Sequence, residues 1–272
     1  MKKIISSVAL LSSSASSTRL FIVHALVTVL AFAIGRPSAL AQVVGDFNND
    51  GFDDLAIGVP GEDLDGQVNA GAVHVLYGAG PGLTNGSAQF WHLDRPGVPE
   101  DANDHDGFGA ALAAGDFDGD GIDDLAIGIP GRMIGSDPGA GAILVLFGSG
   151  AGLAAIDAQF LHQDVSGVMD GAEFNDNFGA ILAAGNFDGD GFDDLAIGVP
   201  GERSTFGIAA GAVGVMYGNN NGLSVSNDQF LQQGSNNIEG VPEGNDRFGS
   251  ALVAGDFNGD GRDELAIGVP DE

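Results

Sequence analysis

The sequence predicts an all-β chain of propeller blades, and three observations carry that prediction. A unit of 70 residues repeats without insertion, each unit contains short apolar runs bounded by Gly and Pro, and an acidic turn interrupts every unit at the same place. Asp46-Phe-Asn-Asn-Asp-Gly returns as Asp116-Phe-Asp-Gly-Asp-Gly, Asn186-Phe-Asp-Gly-Asp-Gly and Asp256-Phe-Asn-Gly-Asp-Gly. Asp-x-Phe-Gly recurs at Asp106, Asp176 and Asp246, Gly-Ala-Val or Gly-Ala-Ile at Gly71, Gly141 and Gly211, and Gln-Phe at Gln89, Gln159 and Gln229. Four short strands per unit, stacked face to face, are the signature of blades.

Each unit supplies those strands in order. In the second unit, strand one is expected over residues 108–115, almost all Gly and Ala, which suits a crowded place where strands converge. Strand two (125–129) and strand three (142–147) are continuous aliphatic runs, as expected of strands covered on both faces. Strand four, around 159–163, alternates and should be the wet edge. Pro60, Pro130, Pro200 and Pro270 end strand two, where a missing N–H does no harm. Asn85-Gly86-Ser87 fits a glycosylation sequon but is read as a turn. No segment after Ala41 has helical periodicity.

Residues 1–41 read as an address. Lys2, Lys3 and Arg19 precede an apolar run over 20–34, followed by Gly35-Arg36-Pro37 and Ala39-Leu40-Ala41. A basic start, an apolar stretch and a small-x-small site make a secretory signal peptide cut before Gln42. The run is shorter than the roughly 20 residues that span a bilayer, which argues against an uncleaved anchor. Residues 42–272 are then an exported, secreted or cell-surface propeller; a periplasmic location is compatible.

Composition narrows the chemistry. The chain lacks Cys, which excludes disulfides, thiolate metal sites and cysteine nucleophiles. The formal net charge is −29, and beyond Ala41 five arginines and no lysine face all 38 acids. Nucleic-acid binding needs a basic footprint and is excluded. A cation or a metal is the expected partner, although a saline habitat would also favour such a surface.

The acidic turns have the pattern D-x-[D/N]-x-D-G-x-x-[D/E]. Oxygen ligands at positions 1, 3, 5 and 9, a Gly at 6 and a backbone carbonyl at 7 describe a calcium loop. The candidate ligands are Asp46, Asn48, Asp50, Phe52 through its carbonyl, and Asp54; Asp116, Asp118, Asp120, Ile122 and Asp124; Asn186, Asp188, Asp190, Phe192 and Asp194; and Asp256, Asn258, Asp260, Arg262 and Glu264. Hard oxygen donors select Ca2+, up to four ions. An EF-hand is rejected, because position 12 is Ile57, Ile127, Ile197 and Ile267 where it needs a bidentate Glu. The plain alternative is four acidic surface turns, but it must explain why 17 of 38 acids crowd into four nine-residue segments. Asn186 removes a charge from the third turn and Glu264 lengthens position 9 of the fourth. Asp53, Asp123, Asp193 and Asp263 at position 8 are read as facing solvent.

Phe-Gly, then the calcium loop, then Leu-Ala-Ile-Gly-Val-Pro resembles the FG-GAP repeat of integrin α-chain β-propellers, over essentially all of residues 42–272. The resemblance implies a β-propeller, calcium in the hairpin between the first two strands of a blade, and extracellular recognition or adhesion. The first unit departs from the pattern, having Val43-Val44-Gly45 in place of Phe-Gly.

No catalytic constellation assembles. His92 and His162 are equivalent positions, Gln232 replaces them in the third unit, and they are read as exposed strand side chains; Ser204 and Thr205 are lone hydroxyls. Trp91 is read as an anchor against the next blade. The expected function is a calcium-binding recognition or adhesion module, integrin α-like and without catalysis of its own, whose partner is an extracellular protein or surface ligand. The alternative is the non-catalytic propeller of a larger secreted hydrolase, since FG-GAP repeats accompany a phospholipase D region in some family members. Residues 42–272 hold about 3.3 units, or about three and a half blades, below the four blades of a closed ring. An open arc is therefore expected, needing further repeats or a second chain to close it.

Overall fold

Short aliphatic runs separated by Gly-rich turns fold as antiparallel strands. In the computed structural model the described residues are 9–10, 21–22 and 41–271, apart from 169, 204–206 and 236–237. The chain divides into Met1–Ser38 and Ala39–Glu272. In the first unit two short strands, β1 (Ala9–Leu10) and β2 (Phe21–Ile22), pair antiparallel. The rest of the expected signal peptide, and the lone hydroxyls Ser204 and Thr205, lie outside the described residues.

The second unit is all strand and turn among its described residues. Its first sheet runs β3 (Gln42–Gly45), β4 (Asp54–Val59), β5 (Ala72–Tyr77), β6 (Thr84–Trp91) in spatial order. The second runs β7 (Leu112–Gly115), β8 (Asp124–Ile129), β9 (Ala142–Phe147), β10 (Ala154–Leu161). The third runs β11 (Ile181–Gly185), β12 (Asp194–Val199), β13 (Ala212–Met216), β14 (Gln229–Leu231). A hairpin, β15 (Ala251–Gly255) and β16 (Glu264–Gly268), follows. These are three up-and-down blades and the first half of a fourth, in an open arc. Asn85-Gly86, expected as a turn, lies inside β6, where the register to β5 shifts between the Tyr77–Thr84 and Val75–Gln89 pairs.

The core is a series of layers between successive sheets. Val73, Val75 and Trp91 of the first blade pack with Leu125, Ile127 and Leu144 of the second. Val145 and Leu161 then pack with Leu195, Ile197 and Met216 of the third. Every residue of β8 and β12 is buried, whereas β4 alternates and β16 is largely half-buried. The equivalent phenylalanines show the same gradient: Phe47 and Phe117 are wholly buried and Phe257 is 63% exposed. Both ends of the arc therefore present apolar surface, Val44 and Phe52 at one and Val253 and Phe257 at the other.

Strand one is shorter than expected. Its opening Phe-Gly leaves the blade and stitches to the one before. Phe108 bridges Gly71 in parallel and donates its N–H to Ala70 O at 2.9 Å. Gly109 has φ +87°, and its carbonyl oxygen lies 2.0 Å from where a Cβ on Gly58 would stand. Both glycines are thus fixed, one by a left-handed backbone and one by close approach. Further along, a Cβ on Gly115 would meet the Ala184 methyl of the next inner strand at 3.3 Å. Small side chains let these inner strands converge.

Candidate metal centre

The acidic turns join the first two strands of each blade, β3–β4, β7–β8, β11–β12 and β15–β16. Their backbone curls around the leading Asp or Asn side chain. Asp116 Oδ2 accepts the Gly121 N–H at 2.9 Å, Asp118 Oδ1 that of Asp120 at 3.1 Å, and Asp120 Oδ1 that of Ile122 at 2.9 Å. Position 6 is left-handed in all four turns, φ +83°, +87°, +101° and +89° at Gly51, Gly121, Gly191 and Gly261. This curl aims the oxygens at positions 1, 3 and 5 inward.

The second turn brings its candidate ligands together most completely. Asp116, Asp118 and Asp120 each offer a carboxylate oxygen within 4.8 Å of the others, and Asp116 Oδ1 is enclosed with no hydrogen-bond partner. Burial raises the Asp118 carboxyl above its usual range, with the Asp120 and Asp116 charges adding. An enclosed, unpartnered oxygen among converging carboxylates fits a hard divalent cation. In the first and fourth turns the amide of Asn48 or Asn258 donates to Asp50 or Asp260 at 3.1 Å. In the third, Asn186 Oδ1 accepts the Gly189 N–H at 2.7 Å. These three turns carry fewer free carboxylate oxygens.

Position 9 is the deepest. Asp54, Asp124 and Asp194 are buried; Asp54 and Asp124 each accept two backbone N–H groups and Asp194 three. Asp124 takes Phe117 at 3.0 Å and Gly148 at 2.8 Å, so it anchors the turn to strand two's partner, β9. Burial pushes Asp124 up to about 8, and Asp54 and Asp194 to about 6, with charges of their own turns adding. Glu264 accepts the Phe257 N–H at 2.9 Å and also the Asn258 amide. The position-7 side chain covers the preceding turn: the Phe192 ring leaves no room for a Cβ on Gly119, nor Arg262 on Gly189.

Position 8 differs from the sequence reading. Asp123, Asp193 and Asp263 do not face solvent. Their carboxylates accept the position-1 N–H of the preceding turn, at Asp46 (2.8 Å), Asp116 (3.0 Å) and Asn186 (3.0 Å). Their own N–H groups donate to the carbonyl of the same residue, at 3.3, 3.0 and 3.0 Å. Only Asp53, with no preceding turn, is exposed. The signal was present in the invariant spacing, but its partner stands one unit and seven residues away, beyond any local pattern. The histidines differ too. His92 and His162 are half-buried, with Nδ1 enclosed and unpartnered, and burial lowers the His162 pKa. Trp91 is buried in the layer shared with the second blade, its indole N–H on Gln89 and Arg95 stacked over its ring at 3.8 Å.

A family model described as FG-GAP repeat matches residues 43–76, 108–146, 178–223 and 248–272. Among curated relatives, phosphatidylinositol-glycan-specific phospholipase D of Rattus norvegicus is 33% identical over 165 residues, 60% of this chain and 18% of that protein. Integrin alpha-PS2 of Drosophila melanogaster is 28% identical over 239 residues, 84% of this chain and 15% of that protein. The chain spans less than a fifth of the length of either. Among solved structures, the rhamnogalacturonan lyase YesW is similar with a TM-score of 0.47 and 18% identity, over 85% of this chain and 40% of that one.

Proposed function

The chain belongs to the FG-GAP repeat family, and from that premise we propose that it is a calcium-loaded extracellular propeller segment serving recognition or adhesion, with no catalysis of its own. The observation that carries the metal is the second turn, where three carboxylates converge around the enclosed, unpartnered Asp116 Oδ1. Calcium neutralises turns that otherwise repel, and it links blades whose turns already touch. Export is supported by the basic and apolar leader in the sequence. No helix among the described residues is long and apolar enough to cross a membrane.

Recognition would fall to the segments that differ between units on a near-identical frame, residues 61–70, 131–140 and 201–210, and 93–105, 163–175 and 233–245. Their partner is an extracellular protein or surface ligand. The apolar ends of the arc would be covered by further repeats or a second chain. The experiment is a thermal melt of the full chain in millimolar calcium and in EDTA. A ligand bound only by the folded state raises the melting temperature, and extracellular sites bind at about 10⁻⁴–10⁻³ M. An unchanged melt would refute the metal.

The similarity to phosphatidylinositol-glycan-specific phospholipase D favours one second reading, that this is the non-catalytic propeller of a larger secreted hydrolase. Phospholipase assay and pull-down with the complete gene product separate the two.

A further inference from the structure

Carboxylates also meet at the end of the third blade opposite its acidic turn. Glu173, Asp176 and Glu202 each bring an oxygen within 4.8 Å of the others. Asp176 and Glu202 are fully buried, and so, nearly, is Gln163 of the preceding blade.

The repeat supplies its own control. One period earlier Arg132 stands where Glu202 does, Asp106 where Asp176 does, and Glu100 where Asp170 does. There the buried guanidinium pairs with Asp106 at 3.0 Å and with Glu100, and donates to the Asp101 carbonyl at 2.7 Å. In the third blade the cation is replaced by another acid while the acids around it remain. Among the described residues no ion pair forms here: Arg203 gives Glu202 its backbone N–H, at 2.7 Å, and its charge acts on Asp176 without contact. Gln163 Nε2 donates to Glu202 at 2.7 Å, and the Glu173 N–H to Asp176 Oδ2 at 2.7 Å. Asp176 Oδ1 and Gln163 Oε1 are left enclosed without a partner. Buried charge without a counter-charge, and buried oxygens without donors, are both costly. Burial raises the Glu202 carboxyl above its usual range, with the Asp176 and Asp170 charges adding.

We propose that Glu173, Asp176, Glu202 and Gln163 Oε1 form a further divalent-cation site, in which calcium takes the place the Arg132 guanidinium fills one blade earlier. The donors are all hard oxygens, which suits Ca2+ and not zinc or copper. Because Gln163 follows β10 and Glu202 follows β12, the ion ties the second blade to the third. The site is independent of the acidic turns.

The test counts calcium bound per full-length chain by equilibrium dialysis, for wild type, Glu202→Gln and Glu202→Arg. Both variants are expected to bind one ion fewer than wild type. Glu202→Arg, which rebuilds the Arg132 arrangement, is expected to melt higher than wild type in EDTA. Should Glu202→Arg fail to fold, the shape-conserving Glu202→Gln carries the count alone. Equal stoichiometry in wild type and Glu202→Gln overturns the site. Asp120→Ala reports on the turns separately: if it loses no ion while Glu202→Gln still does, the turns fail and this site stands.

Discussion

Asp120 and Asp123 sit in one turn and answer to different partners. Asp120 faces the carboxylates of its own turn, and Asp123 holds the N–H of Asp46 in the blade before. Asp120→Ala should therefore remove one calcium per chain with little loss of metal-free stability. Asp123→Ala should keep the ion count and cost about 1.5–3 kcal/mol, the worth of a hydrogen bond to a charged group. Calcium counting and a denaturant titration on the two variants check the contrast. The position-9 carboxyls make a second residue-scale prediction. Burial holds Asp54, Asp124 and Asp194 above the ordinary 3.8, at about 6, 8 and 6. In EDTA the folded state then binds more protons than the unfolded one, so these groups' contribution is full below about pH 4 and is lost as pH rises through 6 to 8. Melting temperature in EDTA should fall across that window, and calcium, which holds the ionised form, should flatten or reverse the slope. The turns were legible in the sequence because ligand spacing is local. The position-8 role was not, because its partner lies a full repeat away.

Strands two and three were legible as well, since aliphatic runs between Gly and Pro have few alternatives. Strand one was over-read by four residues: Phe108-Gly109 spends its backbone on the preceding blade and Leu112 opens the ladder. The glycines divide accordingly. A Cβ on Gly128 would stand 2.0 Å from the Gly179 carbonyl oxygen, whereas one on Gly214 would meet nothing within 4 Å. Gly128→Ala should destabilise toward the upper end of the about 1–3 kcal/mol that overpacking costs. Gly214→Ala should be neutral or slightly stabilising. Thermal melts of the pair in calcium compare a backbone contact between blades with an open position inside one. The Gln-Phe repeat has a similar hidden reason: Gln159 accepts the Leu223 N–H at 2.9 Å and donates to its carbonyl at 3.0 Å, clipping strand four to the next blade.

At the scale of the molecule, the arc leaves large apolar side chains uncovered at both ends. Phe257→Ser with Val253→Thr should reduce self-association of the full chain, measured by light scattering, while its calcium count is unchanged; unaltered association would place the contact elsewhere. The layered core makes stability a sum of blade and interface contributions, and the acidic turns add something to that picture. The first residue of each of the first three turns is clamped, N–H and carbonyl, by the position-8 residue of the following blade. Where calcium sits in these turns, the ion's first ligand is thus set in place by a neighbour. Filling one turn would then steady its blade and tighten the grip of the turn before it, so the binding isotherm should be steeper than that of independent sites.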